Sequence, residues 1–167
     1  MKVLLRNLAS FILPILAAIV IPALIEKDIE IKNIFSFIAG FVVIIIGLII
    51  LVICNRSFIL VGQGTLAPWS PTKIFVIQGL YRYTRNPMIT GVLMILLGES
   101  LAILSLNILI WAVIFFIVNT FHMIFYEEPD LERKFGDQYR SYRKEVHRWI
   151  PRLSPYNVHV KSKDKLS

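Results

Sequence analysis

The sequence is short of the residues on which soluble folds and metal centres depend. Only 17% of its 167 residues are charged, against about 25% in a typical soluble domain. The single cysteine, Cys54, excludes an internal disulfide, a CxxC redox pair and a cysteine-rich metal site. His122, His147 and His159 are too scattered for a structural zinc site, so no metal is expected. Acids are scarce as well, with 11 Asp and Glu against 18 Lys and Arg and a net charge of +7. The basic excess sits in particular loops and in the tail, so it reports membrane sidedness and anionic lipid, not nucleic acid. What fills the chain instead is apolar: 56% hydrophobic residues and a mean hydropathy of +0.69. That is too apolar for an ordinary soluble domain and too short for several domains, and it predicts a single all-α membrane domain over residues 1–152.

Residues 8–25 and 34–53 carry no charge. Each is about the length a helix needs to cross roughly 30 Å of hydrocarbon. The first is longer than the apolar core of a cleaved signal peptide, although Lys2 and Arg6 precede it. Pro14 and Pro22 predict a kink in it. Residues 89–126 hold Glu99 as their only charge and are nearly two spans long, and Ser105-Leu106-Asn107 suits a tight turn between helices at 88–105 and 107–126. Four spans result. Residues 26–33 hold three acids and two bases, whereas 54–88 hold four bases and no acid. The positive-inside rule then puts 54–88 and both termini on the cytoplasmic side.

Two segments gather polar and aromatic residues on that side, 62–91 and 127–152. The first is rich in Gly and Pro and reads as loop, re-entrant or interfacial backbone, with Gly62-Gln63-Gly64 taken as loop. In the second, Leu131, Phe135, Tyr139, Tyr142, Val146 and Trp149 recur at intervals of three and four, one apolar face of an amphipathic helix interrupted near Gly136. Such a helix lies on lipid headgroups or covers a pocket. Residues 153–167, with Lys161, Lys163 and Lys165, read as a flexible basic tail. In the fourth span Phe115, Asn119, His122 and Tyr126 form a partly polar stripe leading to Glu127 and Glu128. Pro129 should free the carbonyl of Phe125 and bend the chain there. Glu99, well inside a span, is a site candidate by default, and pairing with Asn119 or another hairpin group to fix helix packing is the plainer reading. Cys54 could carry an acyl chain or be an inert thiol.

Taken together, Gly79-Leu80-Tyr81-Arg82-Tyr83-Thr84-Arg85-Asn86-Pro87-Met88-Ile89-Thr90-Gly91, then Glu127-Glu128-Pro129, then Phe135-Gly136 through Trp149-Ile150-Pro151-Arg152 resemble the isoprenylcysteine carboxyl methyltransferase and phospholipid methyltransferase superfamily. The likeness covers roughly residues 62–152 and is closest to the small bacterial and archaeal members, which implies a prokaryotic plasma membrane. Its pattern there is G-x-Y-x-x-x-R-H/N-P-x-Y-x-G, a membrane hairpin, and an acidic pair before F-G-x-x-Y-x-x-Y. The resemblance implies an integral membrane enzyme that binds S-adenosylmethionine at the cytoplasmic membrane surface. Carried over by residue, it implies cofactor contacts from Tyr81, Asn86, Pro87, Met88, Ile89 and Glu127, supported by Glu128, Arg85 and Gly91. These types fit that cofactor. Carboxylates accept from its amine or ribose, Arg85 or backbone N–H groups hold its carboxylate, and Tyr81 or Tyr83 stacks on a ring or cation. Gly91 and Gly98 let backbone or ligand approach closely.

Two positions depart from the pattern. Ile89 stands where an aromatic Tyr is usual, and Met123 stands where the prenylcysteine enzymes keep an arginine for the substrate carboxylate, a role for which His122 or Arg82 could substitute. The acceptor therefore stays open among carboxylate, amine and hydroxyl on a lipophilic small molecule or lipidated substrate. A carboxylate needs no base, whereas an amine or hydroxyl would give its proton to His122 or Glu128. His122 can equally be an ordinary packed helix residue, and the two glutamates can simply end a span in water. Membrane sterol reductases share part of this architecture but are larger. From another functional class, a non-catalytic accessory membrane protein could have kept the scaffold.

Overall fold

The computed structural model describes residues 12–27, 30–61, 75 and 77–157, and every regular element among them is helical. Helices α1 (Ile12–Ile15) and α2 (Ile21–Ile25) are joined by a π-helical turn, Leu16–Val20, in which the N–H of Ile21 reaches the carbonyl of Leu16. Pro22 is the cause, since its ring has no N–H and crowds the carbonyl four residues back. Widening the turn makes room for it. The same device recurs later in the chain. The π turn Met123–Glu127 closes with Glu128 N–H on the Met123 carbonyl, two residues ahead of Pro129. Where simple bends were expected at both prolines, the helix inserts a residue and continues.

Helix α3 (Ile34–Val61) starts where the Asn33 side chain accepts from the N–H groups of Phe35 and Ser36, at 2.8 and 3.3 Å. It runs past the charge-free stretch through Arg56. Helix α4 (Pro87–Ile103) opens on a proline, which costs nothing at a position whose N–H has no partner within the helix. Leu104 turns the chain with φ +52°, Ser105 caps α5 (Leu106–His122) by accepting from Ile108 N–H, and the hairpin is closed. The turn thus falls on Leu104–Ser105, and Asn107 is already helical. Ser105 Oγ and Asn107 Nδ2 both donate to Glu26, tying the first helix to the hairpin.

Two stretches, Ile34–Ser57 and Leu106–Phe135, are long and apolar enough to cross a membrane, and Leu16–Ile25 and Pro87–Ile103 are shorter apolar helices. Their outward faces expose residues such as Phe35, Phe41, Val118 and Phe121, a surface made for hydrocarbon. Inside, Ala18, Leu51, Val92, Ile95, Leu96 and Ala112 form the core. Helices α3 and α4 meet backbone to backbone. A Cβ on Gly98 would stand 2.7 Å from the Gly40 carbonyl oxygen, and one on Gly47 would stand 2.7 Å from that of Gly91. Gly91 faces α3, where it serves the close backbone approach that was one of its two readings.

Helix α6 (Glu128–Phe135) continues from the second π turn, and α7 (Asp137–Glu145) follows a Gly136 with φ +52°. The apolar face of this pair does not meet headgroups. Tyr139, Tyr142 and Val146, with Leu131 and Phe135, pack against Phe75, Ile77 and Tyr156. Tyr156 is 5% exposed and belongs to this core, and residues 158–167 of the expected tail lie outside the described residues. Helical aromatics need a partner surface, and the chain itself supplies it.

Candidate functional site

The site is built on a short turn. Gly79, at φ +55°, begins a 3₁₀ turn, Gly79–Arg82, that leads through Tyr83, Thr84 and Arg85 to the cap residue Asn86. Tyr81 is buried, its side chain hydrogen-bonds with Cys54 of α3, and its carbonyl accepts from the Tyr142 hydroxyl at 2.6 Å. Burial on that partner raises the Tyr142 phenol well above its ordinary pKa. Cys54 is fully buried, which makes it the inert thiol of the two readings. A strap of residues 146–157 then lies along the turn. Arg85 N–H donates to His147 O (3.0 Å), Arg152 N–H to Tyr83 O (2.9 Å), and Tyr156 N–H to Arg82 O (2.9 Å). Thr84 Oγ1 donates to Arg148 O at 3.0 Å, and Arg82 Nε to Tyr156 O at 2.7 Å, with a further bond from Arg82 to Asn157.

Glu128 joins the turn, the strap and the helix that follows the hairpin. It is 2% exposed and accepts from Arg85 Nη1 at 2.9 Å and from Arg148 Nε and Nη2 at 2.7 and 3.1 Å, with Arg143 Nε at 3.7 Å. The fork-like grip of Arg148 is the strong form of this pair, and its bond to Glu128 raises the Arg148 pKa from its ordinary value. Against the upward pull of its burial, so many guanidinium donors hold the Glu128 pKa below its ordinary value, which makes it a weak proton acceptor. The Tyr139 hydroxyl is close enough to the Arg85 guanidinium to feel its charge, and burial pushes its phenol pKa up.

What this knot leaves over is informative. Arg85 Nε and Asn86 Nδ2 are buried and have no hydrogen-bond partner among the described residues. Buried donors are almost always satisfied, so two in adjacent residues mark a place for an acceptor. Pro87 is buried beside them, and Met88 and Ile89 are half-buried.

Glu127 behaves unlike its neighbour. It is exposed, with His122 near enough to act on its charge, and the His122 and Tyr126 rings stack with centroids 5.7 Å apart. The π turn brings residues five apart onto one face, so His122, Tyr126 and Glu127 share an open surface while Met123 turns inward at 3% exposure. Upstream the polar stripe is internal to its helix, with Asn119 Nδ2 donating back to Phe115 O at 2.8 Å. Glu99 does not pair with Asn119, and its Oε2 is buried without a partner among the described residues. Gly62-Gln63-Gly64 lies outside the described residues. Arg148 is the site residue the sequence did not announce. Its only trace was its place within the tract ending at Arg152.

A family model described as phospholipid methyltransferase matches residues 35–138, which include the Arg85-Asn86-Pro87 block, the hairpin and the acidic pair. The chain belongs to the phospholipid methyltransferase family. This family falls in the same group as the isoprenylcysteine carboxyl methyltransferases. Membership makes the chain a membrane methyltransferase, in keeping with its two long apolar helices. The chain is also similar to an uncharacterised protein of Haemophilus influenzae, 46% identical over 54 residues that cover 32% of this chain and 76% of that protein. No solved structure matches. The family match stops at residue 138, so Arg148 and the strap lie outside it.

Proposed function

We propose that the protein uses S-adenosylmethionine to methylate an amine-bearing lipophilic acceptor reached from the bilayer, at the cytoplasmic end of four membrane-crossing helices. The observation that carries the reading is the pair of buried, unmatched donors, Arg85 Nε and Asn86 Nδ2, next to the apolar Pro87, Met88 and Ile89. Two donors and an apolar lining suit the carboxylate or ribose and the adenine of that cofactor. Bound there, the cofactor supplies a methyl group already activated on a sulfonium, so the protein contributes orientation and a dry pocket. Asn86 and Arg85 bind, Glu128 holds Arg85 in place, Tyr81 braces the turn, and Glu127 accepts from the amine or ribose.

The choice of acceptor follows from which charges are engaged. Arg85 and Arg148 are bonded to Glu128, and Arg82 to the strap. The open face around Glu127 therefore offers a carboxylate, an imidazole and a phenol. With Glu127 serving the cofactor, His122 beside it takes the proton that an amine sheds on methylation, while Arg82, Arg85 and Arg148 are already engaged and do not serve an acceptor carboxylate. The two shorter apolar helices pair with the two longer ones as the remaining spans, and the basic 54–88 segment puts the site in the cytoplasm.

Titration calorimetry on the detergent-solubilised protein tests this, with S-adenosylmethionine and S-adenosylhomocysteine as ligands. Saturable binding is expected, weakened at least about tenfold in Glu127→Ala, the loss of one charged hydrogen bond, with thermal melting unchanged because Glu127 is exposed. Equal affinity in the variant would remove Glu127 from the site. No binding by folded protein would favour an accessory role.

A further inference from the structure

The expected lipid contact of the C-terminal region was the apolar face of α6 and α7, but that face is covered by the chain itself. The apolar residues left uncovered there come just after α7, where Ile150 is 73% and Leu153 105% exposed. We propose that the turn 149–153 is immersed in the bilayer at the boundary of headgroups and acyl chains and sets the height of the strap against the membrane. The proposal rests on α5 crossing the membrane and does not require the cofactor reading.

The geometry is set by two neighbours. Arg148 and Trp149 are adjacent, with Cα atoms about 3.8 Å apart, yet they hold one continuous helical stretch at points twelve residues apart. Arg148 grips Glu128, and Trp149 lies on Phe116 with ring centroids 5.1 Å apart. Twelve residues of helix are roughly 18 Å, so the two side chains reach in opposite directions, Arg148 toward the charged end and Trp149 along the apolar wall. Phe116 is eleven residues before Glu127, roughly 16 Å down a stretch without a charged residue. A ring seated on it is on the hydrocarbon side of the charged end, where tryptophan is favoured.

The turn is also held in place. Arg152 N–H is bonded to Tyr83 O, and Arg152 Nη1 meets Glu145 at 3.4 Å, so the outward attitude of Ile150 and Leu153 belongs to the fold. Continuity with the lipid-facing wall of α5, where Val113 and Ile117 are exposed, commits the occupant to lipid.

The test uses the full chain in vesicles of phosphatidylcholine and phosphatidylglycerol. Leu153→Cys is labelled with an environment-sensitive fluorophore, and the parent should stay unlabelled because Cys54 is fully buried. Lys144→Cys on the exposed face of α7 is the aqueous reference, and Ile117→Cys the lipid reference. Spin-labelled lipids with the label 5–10 Å deep should quench the Leu153 probe about threefold more than the Lys144 probe, with blue-shifted emission. Quenching equal to that at Lys144 overturns the proposal, as does a blue shift without lipid quenching, the pattern of a second protein copy covering the turn. Leu153→Asp gives an independent reading. Trypsin should cut vesicle-bound wild type slowly at Arg152 and this variant several-fold faster, and equal rates would count against immersion.

Discussion

Along the seam of α3 and α4, four glycines bring backbone against backbone, Gly40 facing Gly98 and Gly47 facing Gly91. Around Glu128, by contrast, two arginines hydrogen-bond to one buried carboxylate and a third stands at 3.7 Å. The difference follows the solvent at each place. On the proposed topology the seam lies in hydrocarbon, where there is no gain from moving an aliphatic side chain from lipid to protein, so the helices associate by shape and close approach. At the polar end water competes, and a carboxylate is held in place only when removed from water and fully paired. The seam should fail when an atom is added, and the knot when a charge is taken away.

The largest effect is expected from Glu128→Ala, which strands Arg85 and Arg148 at 11% and 24% side-chain exposure. A loss of about 3 kcal/mol is expected, read from the unfolding midpoint in detergent. Glu128→Gln should recover part of it. Equal stability of all three proteins would break the comparison, because the knot would then be ornamental. Next comes Gly98→Ala, whose one added methyl meets the Gly40 carbonyl. A cost of about 2 kcal/mol is expected, with S-adenosylmethionine affinity in the surviving folded protein as in wild type. A change in affinity without one in stability would mean that seam and site are not separate. The smallest effect belongs to Tyr142→Phe, which leaves the carbonyl of Tyr81 unbonded by its 2.6 Å partner. About 1 kcal/mol is expected from equilibrium unfolding, and near-zero cost would show that water takes the place of the hydroxyl.

Much of this architecture was legible in the sequence because hydrocarbon is an undemanding solvent to read. Charge-free stretches appear directly as helices, and the break at residues 105–107 fell within two residues of the observed turn. The Arg85-Asn86-Pro87 block and the acidic pair were legible as a motif. Their division of labour was not. Glu127 and Glu128 are neighbours on a helix, and which of them turns inward depends on the residue inserted by the π turn before Pro129, since a proline marks a disturbance without saying whether the helix bends or widens. Arg148 escaped because its partner Glu128 is twenty residues away, a separation that no periodicity reports. Asn119 was not the partner of Glu99 for a local reason: an amide within a helix finds the carbonyl of its own preceding turn first.

The strap has a consequence in time. Residues 146–157 are synthesised after every group they tie down, so on the proposed topology the hairpin can enter the membrane during translation while the N–H of Arg85 and the carbonyls of Arg82 and Tyr83 still face water. Domains generally acquire structure in the order in which they emerge. A nascent chain halted short of Tyr156 would hold its membrane helices and lack a finished turn, and newly made protein should gain ligand affinity only after insertion is over.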